Sequence, residues 1–118
     1  MKVVNATHWR SEHLRAIVAR VAKEELDPAR RRRYVVKIGY NHSRNTGGSC
    51  SGYAAYHGRV AQVNVPSDTV DPVDFAHVVA HEMAHSRGMT HNQMRGALRY
   101  RRRVEGYRDF YVWAAALP

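Results

Sequence analysis

The first regular pattern in the sequence is a helical one. Between about Thr7 and Leu26, residues that can face a core return every three or four positions. These residues form two adjacent rows: Trp9, His13, Ile17 and Val21, and beside them Leu14 and Val18. Thr7 is a suitable N-cap, because its hydroxyl can accept a hydrogen bond from the first turn. Asp27-Pro28 is expected to end this first helix.

Alternation of apolar and polar residues then replaces the helical spacing. The segment from Tyr34 to Tyr40 is predicted to be a strand. One face of that strand would carry Tyr34, Val36, Ile38 and Tyr40. Asn41 to Gly52 is small, polar and glycine-rich, which predicts a surface loop. Tyr53 to Tyr56 and Val60 to Val65 are predicted to form two strands joined by a tight turn.

The second half of the chain is predicted to be mainly helical. Asp71 and Pro72 provide a cap and a proline for the first helical position, and Gly88 would stand just past the last turn. One further helical segment is predicted, at about Asn92 to Arg103, and a last segment carries Glu105 to Trp113. The strands are too close in sequence for crossover connections between each pair. The pattern therefore predicts an α+β fold with a small, mostly antiparallel or mixed sheet and helices on one side.

Length and charge narrow the class of protein. The chain has 118 residues, room for one hydrophobic core, so residues 1–118 are expected to form a single domain. Nineteen Lys and Arg against ten Asp and Glu give a net charge of +9, which indicates acidic partners such as nucleic acid or an anionic membrane surface. The single cysteine excludes an internal disulfide framework and a multi-cysteine zinc finger. No apolar stretch approaches the roughly 20 residues that span a bilayer, and no secretory signal is visible, so we expect a soluble cytoplasmic protein without a membrane partner.

The strongest chemical signal is His81-Glu82-Met83-Ala84-His85, which lies in the second half of the helix that begins near Asp71. Residues four apart share a helix face, so the two imidazoles can reach one Zn²⁺. Glu82 stands beside the first histidine, where it can accept a proton from an activated water without being a ligand. Three residues after Gly88, which can reverse the chain, His91 can return as the third ligand. Three protein ligands leave one position for water, as in catalytic zinc sites.

The string HEMAHSRGMTH resembles the extended zinc-binding motif of metzincins, and its spacing is also similar to that of short intracellular zincins of the SprT and WLM kinds. The resemblance implies a minimal zincin fold, with a backing helix, a sheet and an active-site helix. It implies a metallopeptidase in which one Zn²⁺ per chain is bound by His81, His85 and His91, with Glu82 as general base. The strand Val60 to Val65 would be the sheet edge that pairs with a peptide or protein substrate.

Other residues compete for roles in this site. Metzincins have a methionine turn well after the third histidine, whereas Met94 comes only three residues after His91. Glu105 is an alternative third ligand, because its position resembles that of the zinc-binding glutamate of gluzincins. Tyr100 and Tyr107 are candidates to stabilise the transition state, although packing roles are the commoner use of such tyrosines. His77, one turn before His81, is not expected to be a ligand.

Arginine supplies most of the positive charge, in two clusters flanked by tyrosines that could stack on bases. The candidate contacts to a polyanion are Arg30, Arg31, Arg32 and Arg33, together with Arg101, Arg102 and Arg103. The preferred interpretation is a zinc-dependent endopeptidase. The alternative is a basic, nucleic-acid-associated zincin-fold protein that acts on DNA-bound proteins, or that holds zinc structurally without peptidase activity.

Overall fold

The computed structural model describes residues 1–41, 47–50, 60–67 and 70–89. In chain order the described elements are β1 (Lys2–Asn5), α1 (Ser11–Glu25), α2 (Pro28–Arg33), β2 (Val35–Tyr40), β3 (Gly47–Cys50), β4 (Val60–Val65) and α3 (Pro72–Ser86). Three predicted segments lie outside the described residues: the strand Tyr53 to Tyr56, the helical segment Asn92 to Arg103 and the last segment, Glu105 to Trp113.

The sheet has the strand order β1-β2-β4-β3. The first three of these strands are parallel, with Lys2 opposite Val35 and Val35 opposite Val60, and β3 pairs antiparallel with β4. The α+β class is confirmed. Of the two predicted kinds of sheet, mostly antiparallel or mixed, the mostly antiparallel one is wrong, because two of the three strand pairings are parallel. The reason is β1, a short strand that the sequence pattern did not reveal. Because α1 and α2 separate β1 from β2, the chain has enough length to cross over and return parallel.

Two predicted boundaries are also corrected. The predicted loop from Asn41 to Gly52 contains β3, whose glycine-rich backbone pairs with β4 from Gly47 to Cys50. Helix α1 begins at Ser11 and not at Thr7. Asn5 explains the later start, because its side chain accepts a hydrogen bond from the backbone N–H of Thr7 and donates one to the carbonyl of Trp9 at 2.8 Å. These bonds hold the chain in a turn between β1 and α1.

The core lies between one face of the sheet and the two long helices. Alternate residues of β2 and β4 are buried, and so is one side of α1 and of α3. The largest buried side chains are Tyr34, Phe75, Leu14, Ile17, Ile38 and Met83. Tyr34, Val36 and Ile38 share the buried face as predicted, whereas Tyr40, at the end of β2, is 45% exposed. Among the described residues, no helix is long and apolar enough to cross a membrane.

The first helix was predicted to end at Asp27-Pro28, and a second helix, α2, begins at that point. Pro28 fits the first helical turn, and the Asp27 carboxylate caps the helix by accepting a hydrogen bond from the backbone N–H of Arg30 at 2.9 Å. That bond, helped by the nearby Arg30 guanidinium, lowers the pKa of Asp27 below its ordinary value. The cap is therefore present at neutral pH and is lost as the pH falls through the lowered pKa.

Polar contacts join the C-terminal end of α3 to the end of α1 and to the start of β2. Arg87 forms an ion pair with Glu25 at the end of α1, with 2.9 Å between Nη2 and Oε2, and the Glu25 side chain is almost fully buried. The hydroxyl of Ser86 donates to the carbonyl of Glu82 at 3.0 Å, so the Tyr34 hydroxyl, 2.6 Å from Ser86 Oγ, is the donor in their contact. This end of α3 consequently lies beside the start of β2.

Candidate metal centre

The local sequence explains why the HEMAH segment is a rigid helix. The backbone N–H of Asp74 approaches the carboxylate of Asp71 at 3.4 Å, and Pro72 occupies the first helical position, as predicted. Phe75, Val79 and Met83 are fully buried and fix one side of α3 to the core. The predicted helix is confirmed at both ends. His81 and His85 lie on the side of α3 next to the buried one, where they are half-buried.

The two histidines converge through the same ring atom. His81 Nε2 and His85 Nε2 are 3.0 Å apart, and the rings meet edge to face with centroids 4.6 Å apart. Two nitrogens that bind one tetrahedral Zn²⁺ at about 2.05 Å each are themselves about 3.3 Å apart. The observed separation is therefore close to the spacing that a shared zinc ion requires. Imidazole is also a ligand that zinc favours.

A glycine cap orients the second histidine. Gly88 has a φ of +88°, in the left-handed region, and reverses the chain after α3. The N–H of Met89 donates to the carbonyl of Ala84 at 3.1 Å and that of Gly88 to the carbonyl of His85 at 2.8 Å, which is a Schellman motif.

The reversal brings the Met89 carbonyl to 2.8 Å from His85 Nδ1. Because a carbonyl only accepts, Nδ1 carries the proton and donates it to this bond. In the neutral ring, Nε2 of His85 then has its lone pair directed at the site. Metal-binding histidines almost always have their second nitrogen held in this way.

Glu82 places a buried carboxylate beside the pair. Only 4% of the residue is exposed, and Oε1 lies 4.0 Å from His81 Nε2. A carboxylate at that distance is adjacent to the histidine nitrogens without occupying their shared position. This arrangement suits a proton acceptor next to a metal-bound water.

The structure describes only part of the predicted site. The third-ligand candidates His91 and Glu105 and the candidates Tyr100 and Tyr107 lie outside the described residues, as does the second arginine cluster. Within the described part of the chain, no three His, Cys, Asp or Glu side chains are grouped to hold a metal ion. His77 is exposed on α3, and the contact between His81 and His85 does not involve it.

The prediction that Val60–Val65 is an edge strand is wrong. Val60–Val65 is β4, an interior strand that pairs with β2 on one side and β3 on the other, so its backbone groups are already used. Among the described strands, β3 is the outer one beside β4. Helix α3 packs against both β3 and β4. Cys50, at the last position of β3, lies opposite Ala61 near the start of β4.

Sequence reasoning missed two groups that support the site, the Tyr34 hydroxyl and the Met89 carbonyl. The alternation of β2 indicated that Tyr34 is buried, and a buried hydroxyl needs a partner, but the pattern did not identify Ser86 as that partner. The Met89 carbonyl is a backbone group, so no residue type signals it. Its only sequence signal is Gly88, which implies that the chain turns back on the last helical turn.

No protein-family model, curated protein or solved structure matches this chain. The assignment of its function therefore depends on the residues and geometry of the chain itself.

Proposed function

We propose that this protein is a zinc-dependent metallopeptidase that hydrolyses peptide bonds and holds one Zn²⁺ per chain. The observation that carries the proposal is the convergence of His81 Nε2 and His85 Nε2, 3.0 Å apart, beside the buried carboxylate of Glu82. A helix with surface histidines would not need the Schellman turn, the histidine-to-carbonyl bond and the buried carboxylate at the same place.

Of the two candidate third ligands, we favour His91. The chain reverses at Gly88, and the next residue already contacts the ring of His85 through its carbonyl. His91 is two residues beyond Met89, a span of at most about 7 Å, which is short enough for it to reach the histidine pair. Glu105 remains the alternative, and either ligand gives three protein donors with one position open for water.

Different residues of the chain have different roles in the proposed hydrolysis. His81 and His85 would hold the ion, which when bound lowers the pKa of water and polarises the scissile carbonyl. Glu82 accepts the proton of the attacking water and delivers it to the leaving amine nitrogen. Burial keeps this carboxylate away from bulk solvent, which strengthens its interactions in the site. Tyr100 or Tyr107 would donate a hydrogen bond to the developing oxyanion.

The outer strand β3 is the proposed docking edge for an extended substrate. An outer strand offers backbone N–H and C=O groups to an added strand, and β3 lies next to the helix that carries the histidines. The substrate would then be recognised mainly through its backbone. This role replaces the one expected for Val60–Val65.

The test combines metal analysis with peptide cleavage. The protein, purified without chelator, should contain about one zinc per chain and cleave an unstructured peptide library, read by mass spectrometry. Glu82→Gln should keep its zinc and cleave at least about 100-fold more slowly, because it removes only the proton acceptor. Glu24→Gln, an exposed position on α1, is the matched control and should cleave like the wild-type protein.

Two results would contradict the proposal. A protein that takes up no zinc on titration has no metal centre. A protein that binds zinc but cleaves nothing, or cleaves equally well as Glu82→Gln, holds its metal structurally, which is the alternative derived from the sequence.

A further inference from the structure

The peptidase proposal makes no use of the most concentrated positive charge in the described part of the chain. Four consecutive arginines, Arg30 to Arg33, make up most of α2, and all but Arg31 are exposed. Asp27 approaches Arg30 at 3.5 Å, while no ion pair among the described residues involves Arg32 or Arg33. Two exposed guanidinium groups are thus available to an acidic partner.

The start of the chain adds positive charge to the same place. The Met1 ammonium donates to the carbonyl of Arg32 at 3.3 Å, and the exposed Lys2 follows it. Met1, Pro28, Arg31 and Arg32 line a shallow depression of about 420 Å³. Arg31 Nε is buried and has no hydrogen-bond partner among the described residues. We call Met1, Lys2 and Arg30 to Arg33 the α2 basic surface.

We propose that the α2 basic surface binds the phosphate backbone of nucleic acid. Guanidinium groups bind phosphate oxygens bidentately, and a six-residue helix about 9 Å long spans about five duplex charges at one per 1.7 Å. The net charge of +9 would further favour the encounter with a polyanion. Binding of this kind reads backbone charge and carries no base specificity.

The α2 basic surface is less suited to binding a membrane than to binding nucleic acid. Interfacial helices need a broad apolar side, whereas α2 contains only proline, alanine and arginine. Of the large apolar side chains that are exposed in the described residues, Met1, Val4 and Tyr40, only Met1 belongs to the α2 basic surface. An anionic vesicle is therefore the competing probe in the test.

The experiment measures binding of the full chain to a fluorescent DNA duplex of about 20 base pairs, by anisotropy, between about 50 and 200 mM salt. Arg32→Glu with Arg33→Glu should raise the Kd at least about tenfold and reduce the slope of log K against log salt by about 1.8, since two phosphate contacts are lost. Arg15→Glu with Lys23→Glu, both exposed on α1, makes the same change in net charge and should raise the Kd less than about threefold.

Three results would overturn the inference. They are no binding by the wild-type chain at low salt, equal weakening by both double variants, and binding to phosphatidylserine vesicles without binding to DNA. Thermal unfolding checks that the variants fold, and Arg32→Gln with Arg33→Gln replaces the charge reversal if the charge-reversed protein does not fold. The inference is independent of the peptidase proposal, because the measurement involves neither zinc nor cleavage.

Discussion

At the scale of single residues, Gly88 has the backbone conformation on which the end of α3 depends. With φ at +88° it lies where an L side chain is strained, although an added Cβ would meet no atom within 4 Å. We therefore expect Gly88→Ala to lower the free energy of unfolding by about 1–2 kcal/mol through strain alone. Urea denaturation of the two proteins measures this difference.

Gly88→Asn is the matched variant for that prediction, because asparagine tolerates the left-handed region better than alanine. It should cost less than Gly88→Ala. If the alanine variant were as stable as the wild-type protein, Gly88 would not need its positive φ, and the position of the Met89 carbonyl against His85 would have to be explained differently.

Single residues also show what the sequence could predict of the site. The spacing of His81 and His85 and the identity of Glu82 follow from helical periodicity, so the sequence alone is enough to identify this part of the site. The tautomer of His85 could not be predicted, because it depends on a backbone carbonyl. The same holds for the buried position of Glu82, which depends on how α3 packs against its neighbours.

At the scale of elements, the bond from Tyr34 to Ser86 joins the start of β2 to the end of α3. Both groups are buried, and the donor and acceptor are 2.6 Å apart. Tyr34→Phe removes the hydroxyl while leaving the ring in the core, so it should lower the free energy of unfolding by about 1 kcal/mol. Glu24→Gln, at an exposed position on α1, is the control and should change stability by less than about 0.5 kcal/mol.

Equal stabilities for Tyr34→Phe and the wild-type protein, measured by the same urea titrations, would show that the hydroxyl contact contributes nothing. The attachment of α3 would then have to come from the apolar core and from the ion pair of Arg87 with Glu25.

The elements that the sequence predicted well are those with long periodic patterns. Helix α3 was predicted from Asp71-Pro72 to Gly88 because caps and periodicity agree there. Strand β1 was missed because four residues, Lys2–Asn5, are too few to show a period. Strand β3 was missed because Gly47–Cys50 has no apolar alternation, and only its pairing with β4 makes it a strand.

At the scale of the whole molecule, the sheet topology determines where the candidate metal centre and the α2 basic surface lie. Helices α1 and α3 both end near the start of β2, as the ion pair of Arg87 with Glu25 and the contact of Ser86 with Tyr34 show. The histidine pair is in the last two turns of α3, and α2 directly precedes β2, so the candidate metal centre and the α2 basic surface lie toward the same end of the sheet. The histidine pair and the arginine cluster are both visible in the sequence. Their relative position depends on the parallel order of the strands, which the sequence pattern did not reveal.

The proposed metal binding would be a property of the folded chain, since His81 and His85 converge only when α3 is helical. A ligand at 100 times its Kd stabilises the folded state by about 2.7 kcal/mol. For a chain of this length that corresponds to a rise of about 10 °C in the midpoint of thermal unfolding.

We expect added zinc to produce this rise in the wild-type protein, and His85→Ala to abolish it. His77→Ala, one turn before His81 and exposed, should keep it, because the contact between His81 and His85 does not involve His77. Equal rises in both variants would assign the zinc to another part of the chain.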